Sequence, residues 1–296
     1  MNHRDQSSNR SIILNIPSIK VIGKAVKFPW FNELYKIYQF GIDHGLISDF
    51  IVHGSYGDFT NTNFSDLEIS VCWGDPIDLK GKIDQKKYIF LKKLNELIIQ
   101  IDPLQHHGVF NLSSRICQSY SYRDLPLSAY GDAWCISGMQ LDFNLNWDER
   151  AFMELGRERL RVTASSLLLN KSTFFKYGLN LYSQKRFLSN LFMLPVFIYN
   201  SHGFPYSKKR CISDAEDLLP DFIIRLIEVA SKIRTCWPES PAWFSQARSY
   251  FINQKIPGGI ADRVAVNLFR NKQVSVSVAE IMTSKDFQQI SLYTNQ

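Results

Sequence analysis

The chain has 296 residues, 45% of them hydrophobic and 21% charged, which excludes a disordered tail or a miniature disulfide scaffold and supplies apolar residues for two cores. Its formal charge of +6 is unevenly spread: residues 1–150 hold 15 basic and 17 acidic side chains, and residues 151–296 hold 19 and 11. A mildly acidic half is thus joined to a strongly basic one, a balance suited to an anionic ligand held between them.

No apolar run reaches the roughly 18 residues of a membrane span, and residues 1–11 lack the apolar stretch of a secretory signal. The expectation is a cytoplasmic protein with no membrane partner. Five cysteines, Cys72, Cys117, Cys135, Cys211 and Cys236, show neither C-x-x-C nor zinc-ligand spacing and read as reduced thiols.

In chain order, Ile12 to Ile16 is an apolar run able to pair at a sheet edge. Phe31, Leu34, Ile37, Tyr38 and Ile42 recur at helical spacing, and Gly45 ends that helix. A buried strand, Phe50 to Val52, runs into His53, Gly54 and Ser55. The polar loop Tyr56 to Ser65 leads to an alternating strand, Asp66 to Val71, on which Asp66 and Glu68 share a face. A helix with the stripe Ile83, Phe90, Leu94, Leu97, Ile98 and Ile101 follows, then the Asp102-Pro103 turn and a strand from His107 to Leu112. Aromatic residues crowd Tyr120 to Trp134 and read as packing, and Met139 to Leu145 alternates again with Asp142 at its centre.

Beyond Trp147 the pattern is helical: Ala151 to Leu169, Thr173 to Asn200, Asp214 to Cys236, Pro241 to Asn253, Ile260 to Arg270 and a short helix near Val278. The fold class expected is α+β, with a mixed sheet and flanking helices over residues 1–150 and an all-helical bundle over residues 151–296.

The chemistry is concentrated in Gly54-Ser55, ten intervening residues, and Asp66-Leu67-Glu68. Glycine at a strand end lets backbone N–H groups approach a phosphate closely. Two carboxylates at i and i+2 on a strand lie about 7 Å apart at the backbone, a spacing at which a hard divalent cation is shared with phosphate oxygens. The carboxylates are expected to face a cleft and to repel each other without metal.

In Gly54-Ser55 and Asp66-Leu67-Glu68-Ile69 the sequence resembles the nucleotidyltransferase superfamily that includes DNA polymerase beta and the aminoglycoside adenylyltransferases. The resemblance implies a nucleotidyltransferase-type sheet over residues 1–150. It also implies a third carboxylate on a later strand, which Asp142 matches within Leu141-Asp142-Phe143. Where some members carry that acid on the strand after the helix, this chain has His106 and His107, and His107 lines the site instead. The segment Gly203 to Lys208 resembles the turn of the streptomycin and spectinomycin adenylyltransferases, implying a phosphate contact at Lys208; Pro195 stands where a phosphate-binding arginine is expected.

What the resemblance implies is transfer of a nucleoside monophosphate, AMP from ATP, to a hydroxyl of a small-molecule acceptor, with release of pyrophosphate. Asp66, Glu68 and Asp142 would hold one or two Mg²⁺, and Gly54, Ser55 and Lys208 would hold the nucleotide. The alternatives are the same transfer to tRNA or protein in a defence or toxin system, and a noncatalytic nucleotide-binding module. The sequence leaves the nucleotide base, the acceptor and the oligomeric state open.

Overall fold

The computed structural model describes residues 10–16, 27–74, 85–105, 107–113, 120, 127–137, 141–178, 180–214, 218–240, 242–253 and 271–293. Among them the chain is a mixed α+β structure. Strand β1 (Arg10–Ile16) is followed by helix α1 (Pro29–Asp43), strand β2 (Ile47–His53), one helical turn (Gly54–Gly57) and strand β3 (Glu68–Trp73). Helix α2 (Gln85–Ile101), strand β4 (Phe110–Ser113), a tight turn (Leu127–Tyr130), strand β5 (Trp134–Cys135) and strand β6 (Leu141–Trp147) complete the mixed part. From there the described elements are helices: α3 (Glu149–Tyr177), α4 (Leu181–Ser201), α5 (Lys208–Ser213), α6 (Asp221–Thr235), α7 (Ala242–Asn253), α8 (Lys272–Thr283) and α9 (Lys285–Tyr293).

A four-stranded sheet has the order β4-β3-β2-β5, with β3 and β4 parallel and the other pairs antiparallel. Its β2 and β3 are buried along almost their whole length, because α1 and α2 cover one face. Phe50, Val52, Ile69 and Val71 pack there on Phe31, Leu34 and Ile37 of α1 and on Phe90, Leu94 and Leu97 of α2. The helical stripes read from the sequence are the faces that bury, except that Ile42 at the end of α1 is exposed and Ile101 at the end of α2 is half-buried; Ile83 lies outside the described residues. The apolar run at Ile12 to Ile16 does form a strand: β1 pairs antiparallel with β6, opposing Asn15 to Asp142, in a separate two-stranded sheet.

A second apolar cluster belongs to the helices. Leu188, Leu191 and Phe192 of α4 meet Phe222, Leu226 and Ala230 of α6 and Val278, Ile281 and Phe287 near the end of the chain. Asp148, Asn180 and Asn271 cap α3, α4 and α8 by accepting hydrogen bonds from the N–H groups of Ala151, Ser183 and Val274. Two residues of the mixed part, Phe64 and Leu104, are buried in this helical cluster, so the loop before β3 and the turn after α2 are both seated on the helices.

Several expected boundaries shift. The two helices expected over Ala151 to Leu169 and from Thr173 are separated only at Gly178, because Asn170-Lys171-Ser172 is polar but contains no breaker. The helix expected from Asp214 starts at Asp221, directly after Pro220. The segment near Val278 forms two helices, α8 and α9, separated at Ser284. The helix expected over Ile260 to Arg270 lies outside the described residues. Cys72, Cys135 and Cys211 are buried free thiols and Cys236 is an exposed one, while Cys117 lies outside the described residues.

Candidate active site

The register of β2 against β3 places His53 opposite Glu68, and Gly54 follows at the strand end. Gly54 has φ +65°, and a β-carbon there would overlap Glu68 Oε2. The backbone turn therefore favours glycine, and a side chain there would push the Glu68 carboxylate from its present place. Ser55 follows in the helical turn and is half-buried.

Asp66 and Glu68 converge as the alternating pattern predicts, although β3 begins only at Glu68. His107 marks the point of convergence: its Nε2 lies 4.0 Å from Asp66 Oδ2 and 3.9 Å from Glu68 Oε1. His107 is 39% exposed at its side chain, so the carboxylate pair opens to solvent on that side. It precedes β4, which starts at Phe110 rather than His107, and the parallel pairing of β4 with β3 brings it alongside the two acids. His106 lies outside the described residues.

Glu68 is held as an anion by its neighbours. Burial acts most strongly and opposes ionisation, but the His53 imidazole, then Lys208 and His107, outweigh it and hold the carboxyl at about 2. His53 is fully buried; its Nδ1 faces Glu68 Oε2 across 3.7 Å, and its Nε2 lies 3.2 Å from Ser70 Oγ, which is 3.0 Å from the Tyr130 hydroxyl. Tyr130, with Tyr120 and Trp134, is therefore packing beneath the site, and Tyr122 lies outside the described residues. Lys208 opens α5 after the Ser207 N-cap, and the helical half thereby delivers a cation to Glu68.

Asp66 has a neighbour that the motif does not announce. Lys185 of α4, 1% exposed at its side chain, makes ion pairs with Asp66 Oδ1 and Asp102 Oδ2. The other Asp102 oxygen, Oδ1, accepts the Leu104 N–H at 3.0 Å. Burial works against the Lys185 charge, but Asp102 and Asp66 outweigh it and raise its pKa. Burial pushes the Asp102 carboxyl up; Lys185 opposes that and the charge of Asp66 adds to it. The Tyr56 phenol, in the turn after Gly54, is pushed up first by burial and then by the charges of Asp102 and Asp66. The carboxylates are therefore not left to repel each other: Asp66 is neutralised from the helical half, and Glu68 by two histidines and a lysine.

Lys185 was legible in principle. It falls with Leu181, Leu188, Leu191 and Phe192 on the buried stripe of α4, where a charge demands a partner. Asp102 reads in sequence only as a turn residue. Pro195 is buried inside α4, where it leaves no phosphate contact.

Asp142 lies on β6, in the two-stranded sheet, and its side chain is outside the described residues. Among the described residues no group of three or more His, Cys, Asp or Glu side chains is gathered to hold a metal ion unaided. Two carboxylates do suit Mg²⁺, which takes one or two from a protein and completes its octahedron with water and substrate phosphates. No helix among the described residues is long and apolar enough to cross a membrane.

Comparison with family models, with curated proteins and with solved structures returned no match.

Proposed function

We propose that this chain is a metal-dependent nucleotidyltransferase that moves a nucleoside monophosphate, AMP from ATP, onto a hydroxyl of a small molecule and releases pyrophosphate. The observation that carries the reading is the convergence of Asp66 Oδ2 and Glu68 Oε1 on one point, within about 4 Å of His107 Nε2, beside a glycine whose missing side chain makes room for Glu68 Oε2. Asp66 and Glu68 would hold Mg²⁺, which supplies polarisation of the α-phosphate and activation of the attacking hydroxyl. His53 and Lys208 keep Glu68 ionised for that task. Lys208 would also offset charge on the departing pyrophosphate. Asp142, the third carboxylate implied by the resemblance, adds no support to this reading. The small-molecule acceptor rests on the likeness of the Gly203 to Lys208 turn to the streptomycin and spectinomycin enzymes.

The test is pyrophosphate release with each of the four nucleoside triphosphates against aminoglycosides, sugars and tRNA. Asp66→Asn and Glu68→Gln, which keep volume and leave Lys185 its Asp102 partner, are expected to lower Mg²⁺-dependent release by about 100-fold or more with an unchanged circular dichroism spectrum. Turnover equal to wild type in either variant contradicts the assignment. Release that needs tRNA would move the acceptor to the alternative class.

A further inference from the structure

Lys185 is a fully buried ammonium with two buried carboxylate partners, and one of those partners is a carboxylate assigned above to metal. The two oxygens of Asp66 are divided: Oδ1 is paired with Lys185, whereas Oδ2 faces His107 and the side of Glu68. Beside this pair of metal-facing acids, Lys185 is shared between Asp66 and Asp102, and Lys208 acts on Glu68. With one Asp66 oxygen held by a buried ammonium, a free divalent ion meets a half-neutralised carboxylate. A divalent ion that arrives with a triphosphate is different, because the phosphate charge meets Lys208 and a half of the chain with 19 basic against 11 acidic residues.

We propose that Lys185 is a resident cation of the site: by holding Asp66 Oδ1 it keeps the affinity for free divalent metal low, so that metal enters as its complex with nucleotide phosphates. The inference rests on the nucleotidyltransferase reading and adds an order of binding to it. Asp102 acts through Lys185 by pairing with the ammonium that Asp66 shares. Both are positioning residues, with no contact to the reacting atoms.

The experiment measures Mn²⁺ binding by electron paramagnetic resonance, with Mn²⁺ alone and with Mn²⁺ plus a non-hydrolysable ATP analogue. Wild type is expected to bind Mn²⁺ alone at least tenfold more weakly than in the presence of the analogue, about the size of one removed charge near a partly buried site. Lys185→Met/Asp102→Asn removes the ammonium and one of its two partners with no change of net charge and leaves both Asp66 oxygens to metal; its fold is checked by circular dichroism with Mn²⁺ and the analogue present. It should bind Mn²⁺ alone about tenfold more tightly than wild type. Asp102→Asn by itself should shift affinity the other way, because Lys185 is then left to Asp66 alone. Opposite signs in the two variants are not expected of a merely structural ion pair. Free Mn²⁺ affinity in the double variant equal to or weaker than wild type, while wild type binds the Mn²⁺–analogue complex, overturns the role of Lys185 and leaves the enzymatic reading standing. Absence of Mn²⁺ binding to wild type even with the analogue overturns both.

Discussion

Gly54 carries two demands at one position, and each is expressed in the fold. Its φ of +65° is costly for a side chain, by about 1–2 kcal/mol, and a β-carbon would displace Glu68 Oε2. Gly54→Ala is therefore expected to lower stability by about 2 kcal/mol in urea unfolding and to cut pyrophosphate release more than stability alone explains. Wild-type turnover in a folded Gly54→Ala protein would show that Glu68 does not need its present place. At this scale the sequence was informative about identities and silent about partners. Gly54, Asp66 and Glu68 are legible because spacing on a chain fixes them. Lys185 is 119 positions beyond Asp66, and Asp102 belongs to the end of a different helix. Nothing local announces that a lysine in an apolar stripe closes on an acid so distant in the chain.

The loop between Gly54 and Asp66 is held by the helices, which is why it presents its carboxylate in one place. Phe64 is buried in the helical cluster, edge-on to Trp237 with ring centres 4.9 Å apart and near Phe192. Arg234 Nη2 donates to Ser65 Oγ at 3.3 Å, and Lys209 Nζ lies 3.6 Å from Asp58. These exposed or half-buried polar contacts contribute little singly, whereas the buried ring contributes much more. Phe64→Ala is expected to cost about 3–4 kcal/mol in urea unfolding and to weaken ATP binding, because Asp66 lies two residues on. A loss below about 1 kcal/mol with unchanged ATP affinity would mean that the loop is fixed by β3 alone. Elements defined by strong periodicity, α1, α2 and β3, were read from sequence close to their observed places. The boundaries that moved did so where breakers, not periodicity, decide: Gly178 ends α3, and Pro220 starts α6. The β1 and β6 pairing joins residues about 130 apart, and no local pattern specifies such a partner.

Across the whole molecule, the acidic and basic halves meet through specific side chains rather than through diffuse charge. Lys185 reaches Asp66 and Asp102, Lys208 acts on Glu68, Lys209 on Asp58, and buried Arg248 donates through Nη1 to the backbone carbonyls of Pro103 and Gln105. Part of the basic excess thus neutralises the acids of the other half, and Lys208 is among the cations that hold Glu68 ionised. On the proposed reading, the carboxylate pair and these cations work together on metal-bound nucleotide. Isothermal titration calorimetry of ATP, with and without Mg²⁺, tests that most directly. Saturable ATP binding that requires Mg²⁺ and is lost in Asp66→Asn is expected; equal binding without Mg²⁺, or binding untouched by Asp66→Asn, would contradict the nucleotidyltransferase reading.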